Sequence, residues 1–443
     1  IQPRTDGRTI GLGDGAGDLA LSAISLANIQ NGFSEIVIGN ADAGAITIGS
    51  GLSAFVDNLR FQSADALAIG GTLSVGSNRL TLDVADGGTQ TAALTAGQLL
   101  LLSTDSDYTF DHSGNAVGTL AASVGAGSVR VTSGAVAALA VGTIGATSGI
   151  AADSVDLSTT DAAADILLNA GVSTPGAQTY TAGRDVKLAA GTTLAVSGAE
   201  TLTLDAARQV SLGASAKIEN TYSADLTAFD AIVLTGNRRL VADAGNLSGI
   251  DLGAAAVVRT AAGGAGAIDI SGRGGATLGH GIAMVTTATV ESLGAGDITL
   301  TGEAVNSASN YSGVFIGGGS AISSVDGDIE VTALSTGSAG NYPALYVLGG
   351  TSATIQSSGT GGITLQGTRT TGDGEGIWIG LAGAKVQAAS GNIDITAAAA
   401  VSTRDAVRLG GGGQIVTTAG GDITIEGTAA TGGSGKDVGT LAS

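Results

Sequence analysis

GAIDI (266–270), GDITL (296–300), GDIEV (327–331), GGITL (361–365), GNIDI (391–395) and GDITI (421–425) are six versions of one five-residue phrase. Their starts lie 30, 31, 34, 30 and 30 residues apart. A fixed period in this range marks a stacked-repeat protein. Each phrase is a glycine turn followed by polar–apolar alternation. That alternation puts Ile298 and Leu300 on one face of a strand and Asp297 and Thr299 on the other. The apolar members are mostly β-branched, which suits a pleated surface better than a helix.

A second column lies between the phrases: GIAM (281–284), GVFI (313–316), ALYV (344–347), GIWI (376–379) and AVRL (406–409). A third, weaker column runs ATVES (288–292), AISSV (321–325), ATIQS (353–357), AKVQA (384–388) and GQIVT (413–417). Three short strands per unit of about 30 residues describe one coil of a parallel β-helix, with inward Ile, Val and Leu landing over their counterparts in the next coil. Each such side chain contributes roughly 1.5–3 kcal/mol when fully buried. No coil can bury its apolar edge alone, so stability sums along the stack. The expected fold class is all-β: a single right-handed parallel β-helix, a solenoid with three short strands per coil. The handedness rests on the general preference of parallel crossovers and on the family resemblance described below.

Outward from the repeats, three regions are expected. Residues 1–130 carry N-terminal β-helix coils, with segments such as DLALSAISL (18–26), SEIVIG (34–39) and GAITIG (44–49) and an irregular segment or loop near 86–130. Residues 131–260 are β-helix with shorter coils, near 20 residues. Residues 261–443 are the regular array of about 30 residues per coil. No composition break marks a linker, so the reading is one continuous rod.

Composition narrows the function classes. The chain has 443 residues with 75 glycines, 3 prolines and 3% aromatics, which suits tight corners and narrow coils. Its net charge of −20 provides no basic stripe, so no nucleic-acid partner is expected. It has no cysteine, hence neither disulfides nor thiolate metal sites. No apolar run is long enough to span a membrane, GAVAALAVGTIGA (134–146) being the nearest, so no membrane insertion of this segment is expected. The chain reads as a segment of a longer secreted polypeptide.

The opening RTIGLGDGAGDLALSAISLANIQNGFSEIVIGNADAGAITIG (8–49) resembles a unit common in large bacterial exoproteins of the filamentous haemagglutinin type, and the GDITL-like repeats resemble the same group. The resemblance implies a parallel β-helix adhesin exported with an outer-membrane partner. It would be secreted to the cell surface or an extracellular fibre and would act in contact, aggregation or biofilm. Its implied partners are other copies or further segments of the same fibre, with cell-surface glycans as candidate ligands.

Candidate sites are few. The outward position of the second column reads Ala283, Phe315, Tyr346, Trp378 and Arg408 on successive coils, including the only tryptophan. Such a row suits a glycan- or partner-binding stripe, or a self-stabilising ladder. Asp105, Asp107 and Asp111, beside His112, have the density to hold Ca²⁺ through oxygen ligands, against the simpler reading of a solvated acidic turn. No other cofactor is expected. Asp297, Asp328, Gly362, Asn392 and Asp422 form a polar column, read as Asx-type caps. The two histidines, His112 and His280, lie far apart with no triad or zinc pattern, so no catalytic residue is assigned and no enzyme is expected. Alternatives are a glycan-binding module using the aromatic row, or a polysaccharide lyase or hydrolase, for which clustered carboxylates are wanting.

Overall fold

The computed structural model describes residues 1–224, 228–237, 245–305, 311–337, 341–400 and 404–429. The chain forms two compact units, Ile1–Arg184 and Asp185–Ser443. Both are parallel β-helices, with strands stacked in long parallel ladders.

In the second unit the repeat maps onto the coil residue by residue. Ile268, Ile298, Ile329, Ile363, Ile393 and Ile423 pair in one continuous register. The second column stacks Ile282, Val314, Leu345, Ile377 and Val407. The third stacks Val258, Val290, Ile322, Ile355, Val386 and Ile415. Alternation does what it must: within Ile298–Ala304 the burial alternates, with Ile298 and Leu300 fully buried. Three strands per coil are therefore as expected.

The polar column beside these strands does more than cap its own turns. Asp297 Oδ1 accepts the Asp328 N–H at 2.8 Å, and Asp328 Oδ1 accepts the Gly362 N–H at 2.7 Å. Asn392 Oδ1 accepts the Asp422 N–H at 3.0 Å. Each side chain thus satisfies the corner amide of the following coil, which offsets the repulsion expected of stacked carboxylates. Asp328→Ala should cost about 1 kcal/mol, the worth of one such bond. Equilibrium urea unfolding should register it as a lowered midpoint with unchanged slope.

The first unit has tighter coils. Ile46 pairs with Leu67, Leu67 with Gly88, Gly88 with Tyr108 and Tyr108 with Val129, steps of 21, 21, 20 and 21 residues. The shorter coils therefore sit over 46–129. Over 131–260 the steps widen instead: Val155 pairs with Gln178, Val186 with Val210 and Val210 with Ile250.

Residues 86–130, expected to be irregular, are regular coil, with strands Leu94–Leu102, Tyr108–Phe110 and Ala116–Ser123 in parallel register. The misleading signal was the apolar run Leu99–Leu102. Leu99 and Leu101 point into the core, while Leu100, only 9% exposed, packs outside with Ala121 and Ile144. Ile144 belongs to a small antiparallel hairpin, Thr143–Ile144 against Thr147–Ser148, which covers that outer patch. Both faces of the strand are buried, so its alternation disappears.

DLALSAISL is likewise not one strand. Leu19–Leu21 is extended, and Ala23–Ala27 is a short helix whose N-cap, Ser22, accepts the Ser25 N–H.

Candidate functional site

The outward row of the second column is assembled as its spacing implies. Ala283 pairs with Phe315, Phe315 with Tyr346, Tyr346 with Trp378 and Trp378 with Arg408. The strand rise along the stack, about 4.8 Å, is close to ring-stacking distance. Tyr346 and Trp378 accordingly stack with centroids 4.8 Å apart and planes 13° apart, and the Arg408 guanidinium lies 4.6 Å from the Trp378 ring centroid. Trp378 lies between these two neighbours in coil order, so both faces of its indole are covered.

Glycines make room for the rings. A Cβ on Gly380 would lie 2.3 Å from Trp378 Nε1, and one on Gly317 would lie 3.2 Å from the Phe315 ring. Each large ring folds down along its own strand onto a glycine two residues later.

The row has a second rank. His280 stacks on Phe315 with centroids 4.8 Å apart and planes 18° apart, and it meets Tyr311 edge-on at 5.0 Å. Tyr342 meets Tyr346 edge-on at 5.4 Å. These residues enter from the turn just before each second-column strand. Glu375, 2% exposed, occupies the equivalent place one coil later and accepts from Arg408 Nη1 at 2.9 Å. Arg404 clamps Asp373 through Nε and Nη2 at 2.8 and 3.1 Å. Arg369, an inward position paired with Ser335, is 3% exposed and donates to Ser335 Oγ and to the carbonyls of Gly337 and Tyr342. It ties the turn carrying Tyr342 to the coil.

The sequence reading found the row but missed His280, Tyr311, Tyr342 and Glu375. The signal was present: each stands two or three residues before a second-column strand. His280 is the clearest case. Its Nδ1 accepts the Ser312 N–H at 3.0 Å, and burial pushes its pKa from 6.5 down to about 4. Between those values the unfolded chain binds a proton that the folded chain resists. Stability from this residue is therefore complete above pH 6.5 and lost as pH falls toward 4. Thermal melts of His280→Phe should show a shallower loss between pH 6.5 and 4 than the parent.

The acidic cluster is not a metal centre. Asp107 Oδ1 accepts the Ser128 N–H at 2.7 Å, and Asp105 Oδ1 faces the Ala126 N–H at 3.4 Å. Asp111 lies 3.8 Å from Arg130, and His112 Nδ1 accepts the Gly114 N–H. Each carboxylate serves its own coil contact, and among the described residues no three His, Asp or Glu side chains gather as metal ligands. The Ca²⁺ expectation for Asp105, Asp107 and Asp111 fails for that reason.

The depression bordered by Gln62, Asp83, Leu102 and Thr104 has a volume of about 440 Å³. Its one carboxylate, Asp83, is already paired with Arg60 and Gln62. Comparison with family models, curated proteins and solved structures finds no match.

Proposed function

We propose that this chain is a structural and adhesive rod segment of a secreted bacterial surface fibre of the filamentous haemagglutinin type. The observation that carries the reading is the unbroken register from Ile268 to Ile423, coil upon coil, around an aliphatic core. A scaffold of this kind is extended by adding coils and resists bending because every coil is bonded along three ladders. Its coil corners present repeated polar groups, and its most distinctive side chains, the aromatic row, are engaged with one another. That engagement favours the row as a seam between coils over a platform for sugar rings, since pyranose stacking needs an open ring face.

Beads coated with the chain test the adhesive part. Attachment to bacterial or host cells, or clumping of the beads with one another, is expected above the level of albumin-coated beads. Neither attachment nor clumping would contradict adhesion. Turnover of acidic or neutral polysaccharides by the same preparation would favour a cleaving enzyme instead.

A further inference from the structure

Thr260, Ser292, Ser324 and Ser357 occupy one register position on four successive coils of the second unit. They lie on the inward face, two residues after Val258, Val290, Ile322 and Ile355, and are 3%, 1%, 2% and 0% exposed. None of the four hydroxyls has a hydrogen-bond partner within the protein. Four adjacent orphaned hydroxyls on one line are unlike an ordinary core, where buried polar groups are satisfied.

The spacing explains what would satisfy them. Successive coils are about 4.8 Å apart. Hydroxyls stacked at that interval are too far apart to bond directly, since an O–H···O bond spans about 2.7–2.8 Å. The same interval suits one water molecule bonded to both, with an angle at the water close to tetrahedral. The corner beyond the column turns through Gly296, Gly327 and Gly361, which project no side chain into it. The column is also bounded. At one end Asn220 pairs with Thr260 and gives its amide to the Glu200 carbonyl at 2.9 Å. At the other, Ser357 is followed by the methyl of Ala388.

We propose that this interior corner binds a single file of water molecules, one between each adjacent pair of hydroxyls: Thr260 and Ser292, Ser292 and Ser324, Ser324 and Ser357. Buried water of this kind becomes part of the structure, each molecule held by two to four polar partners. The file converts a polar stripe inside an aliphatic core into a continuous hydrogen-bonded seam parallel to the coil stack.

A crystal structure at high resolution and ¹⁷O relaxation dispersion on the full chain test this, with Ser324→Ala as the variant. Expected are three ordered waters, each within about 3.2 Å of two hydroxyls, and loss of the two that touch position 324 in the variant, with a melting temperature lower by about 2 °C. Alanine differs from serine by one atom, and a far-UV spectrum matching the parent shows that the variant is folded. Dry density between the hydroxyls would overturn the proposal. So would a variant that melts at or above the parent temperature, because deleting an unpartnered buried hydroxyl is neutral or stabilising.

Discussion

Gly361→Ala should destabilise the second unit by about 3 kcal/mol, whereas Gly362→Ala, one residue along, should stay within about 1 kcal/mol of the parent. The difference is geometric. A Cβ at Gly361 would stand 2.1 Å from the carbonyl oxygen of Gly327 on the preceding coil. The same collision repeats at every corner: 1.9 Å at Gly296, 2.1 Å at Gly327, 2.1 Å at Gly391 and 1.9 Å at Gly421, each against the glycine carbonyl one coil earlier. No rotamer relieves a clash between Cβ and backbone, so the coils must separate and the ladder beside Ile363 must loosen. At Gly362 the nearest atom is Asn392 O at 3.3 Å, which small adjustments accommodate. Urea unfolding followed by the fluorescence of Trp378, the only tryptophan, reads this unit directly. Equal midpoints for the two variants would refute the stacked-glycine corner.

Trp378→Ala should cost a further large amount, about 3 kcal/mol, and leave cell attachment unchanged. The indole is held by Tyr346 on one side and Arg408 on the other and rests on Gly380. Truncation removes the stack, the cation–π contact and the packing on the glycine together. Truncations of this size in packed sites cost about 3–5 kcal/mol, with the lower end apt for a half-buried ring. Trp378→Phe should recover most of the loss. Circular dichroism melts measure stability, and the coated-bead assay measures attachment. A variant that melted like the parent but no longer attached would make the row a ligand platform and overturn its reading as a seam.

The repeat made the second unit legible. The phrase beginning at Gly296 carries three separate physical requirements in five residues: no side chain at the corner, an acceptor for the next coil's amide, and two inward aliphatics. All three are met by the observed contacts of Gly296, Asp297, Ile298 and Leu300. The order of the aromatic row was also readable, because register follows from period once strands are stacked. What the sequence hid was anything that depends on a second layer. Leu100 looked like a break in alternation because the hairpin at Thr143–Ser148 covers its outer face. His280 looked isolated because its partners, Tyr311 and Phe315, come from the next coil. Asp105 and Asp107 resembled metal ligands in one dimension, and each turned out to serve an amide about 21 residues away. The inward hydroxyls from Thr260 to Ser357 were in view as the last residue of each third-column strand, yet only burial shows that they face the core.

The central claim is that successive repeats lie directly upon one another, and paired cysteines in this cysteine-free chain test it most directly. Thr299 and Glu330 are register partners on neighbouring coils, and Glu330 is in turn the partner of Thr364. Partners about 4.8 Å apart fall within the Cα separation that a disulfide accepts, while positions two coils apart do not. Mild oxidation of Thr299→Cys/Glu330→Cys should therefore close an intramolecular disulfide nearly completely, and Thr299→Cys/Thr364→Cys should remain reduced. Failure of the first pair to close, or equal closure of both, would contradict the stacked-coil architecture.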